Sequence, residues 1–141
     1  MEAFSPRRDD FVQAVRDMFD SIAFYRTLGI TLDTIEPGFI IVRMPKTESV
    51  RQQNGFFHAG ALTALADAAG GTAAATLLAE GENILSVNFA VSLLRPARAD
   101  RLRAEGKVIK AGRRLFVAEA EIFADSTNDL LVKATITLAV A

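Results

Sequence analysis

From Ala59 to Ala79 the chain carries one charged residue, Asp67, in an otherwise unbroken run of Ala, Gly, Thr and Leu. A helix that is uncharged nearly all round has to be surrounded, by protein or by lipid. Lipid is the poorer fit: the run holds few large apolar side chains, and its acid would sit at the costliest depth of a bilayer. The segment therefore reads as a buried helix from about His58 to Leu78, closed by Gly81, and the rest of the chain must supply the wrapping. Gly70 and Gly71 in its interior each cost about 1 kcal/mol of helix propensity. That cost points to close approach of another backbone.

The wrapping is legible on both sides of the run. Downstream, the apolar period changes from helical to two. Leu85, Val87, Phe89, Val91 and Leu93 alternate with Ser86, Asn88, Ala90 and Ser92, the pattern of a half-buried strand over 84–93. Further strands are expected over 101–110, 114–124 and 130–140, separated by the Ala111-Gly112-Arg113 turn and a turn over 125–129. Links this short predict antiparallel hairpins. Upstream, residues 30–35 and 39–44 read as two strands around Glu36-Pro37-Gly38, and residues 45–57 form a polar loop. Ser5-Pro6 resembles a helix start. Phe11, Val15, Phe19 and Ile22 then recur at helical spacing, giving a helix over about 6–24 before Gly29. The layout is α+β, an antiparallel sheet with one face on a long helix. A chain of 141 residues is the usual size of one domain, here with about 1–25 as an N-terminal helical extension.

Composition narrows the chemistry. Sixteen Lys and Arg stand against seventeen Asp and Glu, so there is no basic footprint for nucleic acid. With no cysteine, a disulfide framework, a thiolate nucleophile and a Cys-based zinc site are excluded. A metal site built on the single His would need clustered carboxylates, and none cluster in the sequence. The opening MEAFSPRRDDFVQAV has no apolar stretch after its charges, so it does not read as a secretory signal. A cytoplasmic protein without a membrane partner is the expectation.

Asp67 is then the most informative residue. An ionised carboxylate buried without partners is very unfavourable. It either satisfies backbone donors or a water pocket, or serves as a general base or nucleophile in a dry cleft. His58, just ahead of the helix, is either a structural group at the helix start or a catalyst, and no activated Ser is marked to accompany it. Gln52 and Asn54 offer amide donors. The NH groups of Ala59, Gly60 and Ala61 lack partners in the first helical turn and lie at the positive end of the helix dipole. Such donors suit an oxyanion, although every helix start has them. Nine residues separate His58 from Asp67, about 13 Å along a helix, too far for the acid to reach its own helix start. Two antiparallel copies of the helix would bring the acid of one to the donors of the other, which favours a homodimer with two symmetric sites.

The segment Gln52-Gln53-Asn54-Gly55-Phe56-Phe57-His58-Ala59-Gly60, followed by Asp67, resembles the signature of the PaaI-like hotdog-fold acyl-CoA thioesterases. Their pattern is an amide residue, a Gly, then His-Gly-Gly and an Asp nine residues after the His. Leu85-Ser86-Val87-Asn88-Phe89, Leu94-Arg95-Pro96-Ala97 and Gly112-Arg113-Arg114-Leu115 extend the likeness over roughly residues 25–141. The resemblance implies a sheet wrapped around a long central helix, and hydrolysis of acyl-CoA without metal or cofactor. It implies Asp67 as base or nucleophile, and Gln52 on the carbonyl oxygen or the water. The NH of Gly60 or Ala59 would form the oxyanion hole, Ser86 would help place the water, and His58 would support the loop. Ala59 departs from the first Gly of His-Gly-Gly, and Gln52 stands where many relatives have Asn.

Asn54, Ala59 and Phe57 are expected to bind substrate, and Phe56, Phe57 and the Ala-rich helix suggest an apolar acyl pocket for medium-chain or aromatic acids. Arg95, Arg98, Arg113 and Arg114 are candidates for the CoA phosphates because guanidinium forks match phosphate oxygens; Arg113 and Arg114 rank first, at a turn beside the presumed cleft. The expected partners are acyl-CoA and further copies of the chain, as a dimer or a dimer of dimers. Two rival functions are a non-catalytic acyl-CoA sensor and a hydratase or dehydratase. A retained acid disfavours the first, and the placement of the sole His disfavours the second.

Overall fold

The computed structural model describes residues 3–141, so the first two positions of the expected extension lie outside the described residues. The central run forms α3, Ala59–Ala75. Thr76, Leu77 and Leu78 continue it through tighter i→i+3 bonds onto Ala73, Ala74 and Ala75. This tightening satisfies carbonyls that an α-helix end leaves open. Ten of the seventeen α3 residues are buried, Leu65, Ala68, Ala69 and Ala73 completely. No described helix is long and apolar enough to cross a membrane.

What surrounds α3 is one six-stranded antiparallel sheet in the order β1-β2-β4-β5-β6-β3. The strands are β1 Thr31–Glu36, β2 Phe39–Pro45, β3 Ile84–Leu93, β4 Arg101–Ala111, β5 Leu115–Ala124 and β6 Leu130–Val140. β4 and β5 alternate between buried and half-buried positions along most of their length, so the period of two seen in the sequence is a burial pattern. Their inner residues, among them Leu102, Ala104, Phe116, Ala118 and Ile122, pack on the helix. The outer face carries ion pairs instead, with Asp125 joined to Arg43, Arg101 and Arg103. This is the hotdog architecture.

Close approach occurs, though not where the two helix glycines led us to expect it. A Cβ on Gly106 of β4 would lie 2.1 Å from the Ala69 carbonyl oxygen of α3, so the backbone contact is set by a sheet glycine. Gly70 makes room for a side chain, with Ile136 Cδ1 2.8 Å from the position of an added Cβ. Gly71 has only Leu138 Cδ2 within contact range, at 3.9 Å. The β1–β2 turn takes the positive φ of Gly38, and the Gly38 NH donates to Thr76 Oγ1 at 2.7 Å, tying that turn to the end of α3.

The N-terminal segment departs from the single helix expected over 6–24. Residues 3–10 are not helical; α1 spans Phe11–Ser21 and α2 spans Ala23–Leu28, with extended backbone at Ile22 between them. Tertiary contacts overrule the Ser5-Pro6 signal. Phe4 packs on Gly38 and the core, and the Arg7 guanidinium lies over the Phe116 ring at 5.7 Å. Asp10 stands at the N-cap, but its carboxylate is held by Arg8 at 2.6 and 2.9 Å and does not cap the helix.

Candidate active site

Most of the groups singled out in the sequence fall into two clusters, one at the start of α3 and one at its middle. The first gathers at its N-terminus. His58 is the N-cap, and its Nδ1 accepts from the Gly60 NH at 2.8 Å. The Gly60 NH is therefore committed, and of the two NH groups named for an oxyanion hole, Ala59 is the one left open, at the first helical position on an exposed residue. The Gln52 Oε1 accepts from the NH groups of Asn54 (2.5 Å) and Phe56 (3.2 Å). Those bonds fix the loop and leave the two Nε2 hydrogens of Gln52 as donors without a partner among the described residues. Gln52, Phe57 and Ala59 line a hollow of about 410 Å³ together with Leu62, Leu93 and Arg95.

That hollow shares Arg95 and Pro96 with a neighbouring one of about 460 Å³, into which Arg98, Ser126 and Thr127 also face. Arg95 donates to the Leu130 carbonyl at 2.7 Å, and Arg98 lies over the Phe56 ring at 4.8 Å. Arg113 and Arg114 are elsewhere. They occupy the β4–β5 turn, beside the ends of β6 and the start of β3, where the Arg114 carbonyl accepts from Val140 NH. Within one chain they do not join the Gln52 cluster. Asn54 is exposed and lines neither hollow.

The second cluster surrounds Asp67. Ser86 Oγ donates to Asp67 Oδ1 at 2.6 Å. A β-bulge between Ser86 and Asn88 makes this bond available. Residues directly opposite on paired strands share a face. Ser86 is opposite Leu138, and Phe89, Val91 and Leu93 are opposite Ile136, Ala134 and Val132, all buried against the helix. Leu85 is opposite Ala139, on the outside. Simple alternation would have put Ser86 outside with Asn88. The extra residue turns it inward while keeping Phe89 inward too, a use of bulges seen beside functional sites.

Tyr25 of α2 belongs to this cluster and was not singled out in the sequence. Burial first, and the Asp67 charge second, push its phenol up to about 12, so it stays protonated. Its ring packs on Phe19 with centroids 4.9 Å apart. The signal was present, because Tyr25 continues the apolar spacing of Phe19 and Ile22 by one more step. Among the described residues no group of three or more His, Cys, Asp or Glu is gathered that could hold a metal.

Residues 54–130, more than half of the chain, match the family model of the thioesterase superfamily. The chain belongs to that superfamily. A 1,4-dihydroxy-2-naphthoyl-CoA hydrolase of Listeria monocytogenes is 30% identical over 114 residues, covering 81% of this chain and 92% of the relative. A crystal structure of a thioesterase family protein from Silicibacter pomeroyi is 37% identical with a TM-score of 0.89, covering 92% of this chain and 97% of that one. The E. coli PaaI protein from the phenylacetic acid degradation operon shares the fold, with a TM-score of 0.83 at 23% identity and 92% coverage of both chains.

As a thioesterase-superfamily member the protein is a thioester hydrolase, and the two clusters suit the two demands of that reaction. A thioester carbonyl under attack needs donors where its oxygen becomes negative, and the start of α3 offers Ala59 NH and the Gln52 amide. The attacking water needs a proton acceptor, and Asp67 is a carboxylate with one oxygen engaged by Ser86 and the other open. Eight residues separate Ala59 from Asp67 on an unbroken helix, about 12 Å. A single chain therefore carries a carboxylate and a set of amide donors that suit these two demands, but keeps them about 12 Å apart.

Proposed function

We propose that this protein hydrolyses acyl-CoA thioesters to the free acid and CoA at two equivalent sites of a homodimer, each completed by both chains. The observation that carries the reading is the Ser86–Asp67 hydrogen bond of 2.6 Å, which orients the only charge of α3 at the uncovered edge of the sheet. Asp67 of one subunit is the base. The carbonyl lies at the α3 start of the other, its oxygen between the Ala59 NH and the Gln52 amide. Asp67 takes a proton from water as the water oxygen bonds to the carbonyl carbon. The tetrahedral oxyanion then collapses, the carbon–sulfur bond breaks, and CoA leaves as thiolate.

The edge strand supports the dimer. β3 has a neighbour on one side only, and Leu85, Val87, Phe89, Leu93 and Leu94 are each between 47% and 60% exposed. A long apolar edge left open is an aggregation hazard unless something covers it. A second β3 related by a two-fold axis would cover it and set the two α3 helices antiparallel, supplying what the 12 Å separation withholds. CoA as the thiol is supported by the name of the Listeria relative, a 1,4-dihydroxy-2-naphthoyl-CoA hydrolase, and by Arg95 and Arg98, which line joined hollows leading away from Gln52.

The test is CoA release from a panel of acyl-CoAs, followed with a thiol reagent, for the wild type and Asp67→Ala. We expect kcat to fall about a hundredfold or more, the size associated with losing a general base. Unchanged CoA release in the variant would reject the role of Asp67, and tight acyl-CoA binding without turnover by the wild type would make the protein a sensor.

A further inference from the structure

The half-buried face of α3 that carries Asp67 continues into a cavity of about 260 Å³, enclosed by α1, the end of α3 and the start of β3. Its lining is mostly aliphatic, with Val15, Met18, Ile22, Ala75, Leu78 and Ile84, and Asn83 adds a polar group. Arg8 and Glu82 stand at its rim, but both are engaged, Arg8 by Asp10 and Glu82 by the Ala79 NH. Glu82 also lies 3.8 Å from the Arg7 guanidinium, so each of these charges has a charged partner.

Three elements run in step from the acid to this cavity. On α3, Asp67, Gly71 and Ala75 follow one another at single-turn intervals. On β3, Ser86 holds Asp67, and Ile84, two positions earlier on the same inward face, lines the cavity. On the N-terminal helices, Tyr25 lies within reach of the Asp67 charge, while Ile22 and Met18 line the cavity. Gly71, between Asp67 and Ala75 on this face, leaves room beside the helix: an added Cβ would meet only Leu138 Cδ2, at 3.9 Å.

We propose that this cavity receives a straight aliphatic acyl chain, with the thioester carbonyl at Asp67 and the chain running past Gly71 toward Ala75. The proposal rests on Asp67 being the hydrolytic centre, and it makes the N-terminal helical extension the element that sets acyl-chain length. The largely aliphatic lining suits an aliphatic chain. From Asp67 to Ala75 is about 12 Å, and Ile22, Met18 and Val15 line the cavity at the Ala75 end, with no aromatic side chain among its lining residues. Each methylene placed against the aliphatic lining is removed from water, so the room available becomes a measure of chain length.

Two substitutions of opposite sign test this, with butanoyl-, octanoyl-, lauroyl- and benzoyl-CoA as substrates and thermal melting as the check on folding. Ala75→Leu should block the cavity and lower kcat/KM for octanoyl-CoA about tenfold, the size of losing a methylene or more of pocket contact, while butanoyl-CoA is hydrolysed as by the wild type. Met18→Ala should deepen the cavity and move the preference toward lauroyl-CoA. Wild-type chain-length profiles in both folded variants, or benzoyl-CoA as the preferred substrate with neither variant changing its rate, would overturn the proposal while leaving Asp67 in its role. No CoA release from any ester by the wild type would instead overturn the site assignment, and the proposal with it.

Discussion

Asp67 has neighbours that arrive from both directions along the chain. Ser86 comes from β3 and donates a hydrogen bond, and Tyr25 comes from α2 and adds a phenol within reach of the acid's charge. The phenol gives this pair its own readout. Tyr25 is the only tyrosine and there is no tryptophan, so an ultraviolet titration of tyrosinate reports it alone. Its midpoint should lie near 12, against an ordinary value of 10.0. In Asp67→Asn the midpoint should fall but stay above 10.0, because burial is the larger cause. An unchanged midpoint would show that the two side chains do not sense each other. The sign of the linkage follows: a phenol whose value is raised in the folded state stabilises the fold fully below 10.0, and that stability is lost as pH rises toward 12.

At the level of elements, the fit between α3 and the sheet rests on Gly106. An added Cβ there would collide with the Ala69 carbonyl oxygen of a helix that cannot move away, being packed on several strands. Gly106→Ala should therefore destabilise the protein by about 1–3 kcal/mol or more, seen as a lowered melting temperature; an unaltered melting curve would mean that the helix and β4 are looser than the structure shows. The Gly106 contact was not legible in the sequence, because a glycine in a strand does not declare its neighbour. The strands themselves were legible almost to the residue, since buried alternation along β4, β5 and β6 is a direct record of their faces. The alternation misled in β3, where Leu85 and Val87 share a parity with Phe89 but not its face: a bulge leaves no mark in a pattern of period two. Only the family resemblance marks Ser86 as a site residue in the sequence. The split between α1 and α2, and the extended start of the chain, escaped for the same kind of reason, since Phe4 and Arg7 are fixed by partners far along the chain.

For the whole molecule, one chain sets Asp67 about two turns of helix from the donors at Ala59 and Gln52, and it exposes an apolar edge strand where a second chain would fit. If the centre is shared, lesions in its two halves can be sorted by mixing. Asp67→Ala and Gln52→Ala homodimers each carry a defect in both sites and should be nearly inactive. In the mixed dimer one site collects both defects and the other none. Co-refolding equal amounts of the two variants should therefore restore CoA release to about a quarter of the wild-type specific activity, since half of the dimers are mixed and each has one intact site. Co-refolded variants that form mixed dimers yet remain as inactive as either parent would place Asp67 and Gln52 in the same chain's site, and the shared hydrolytic centre would be wrong.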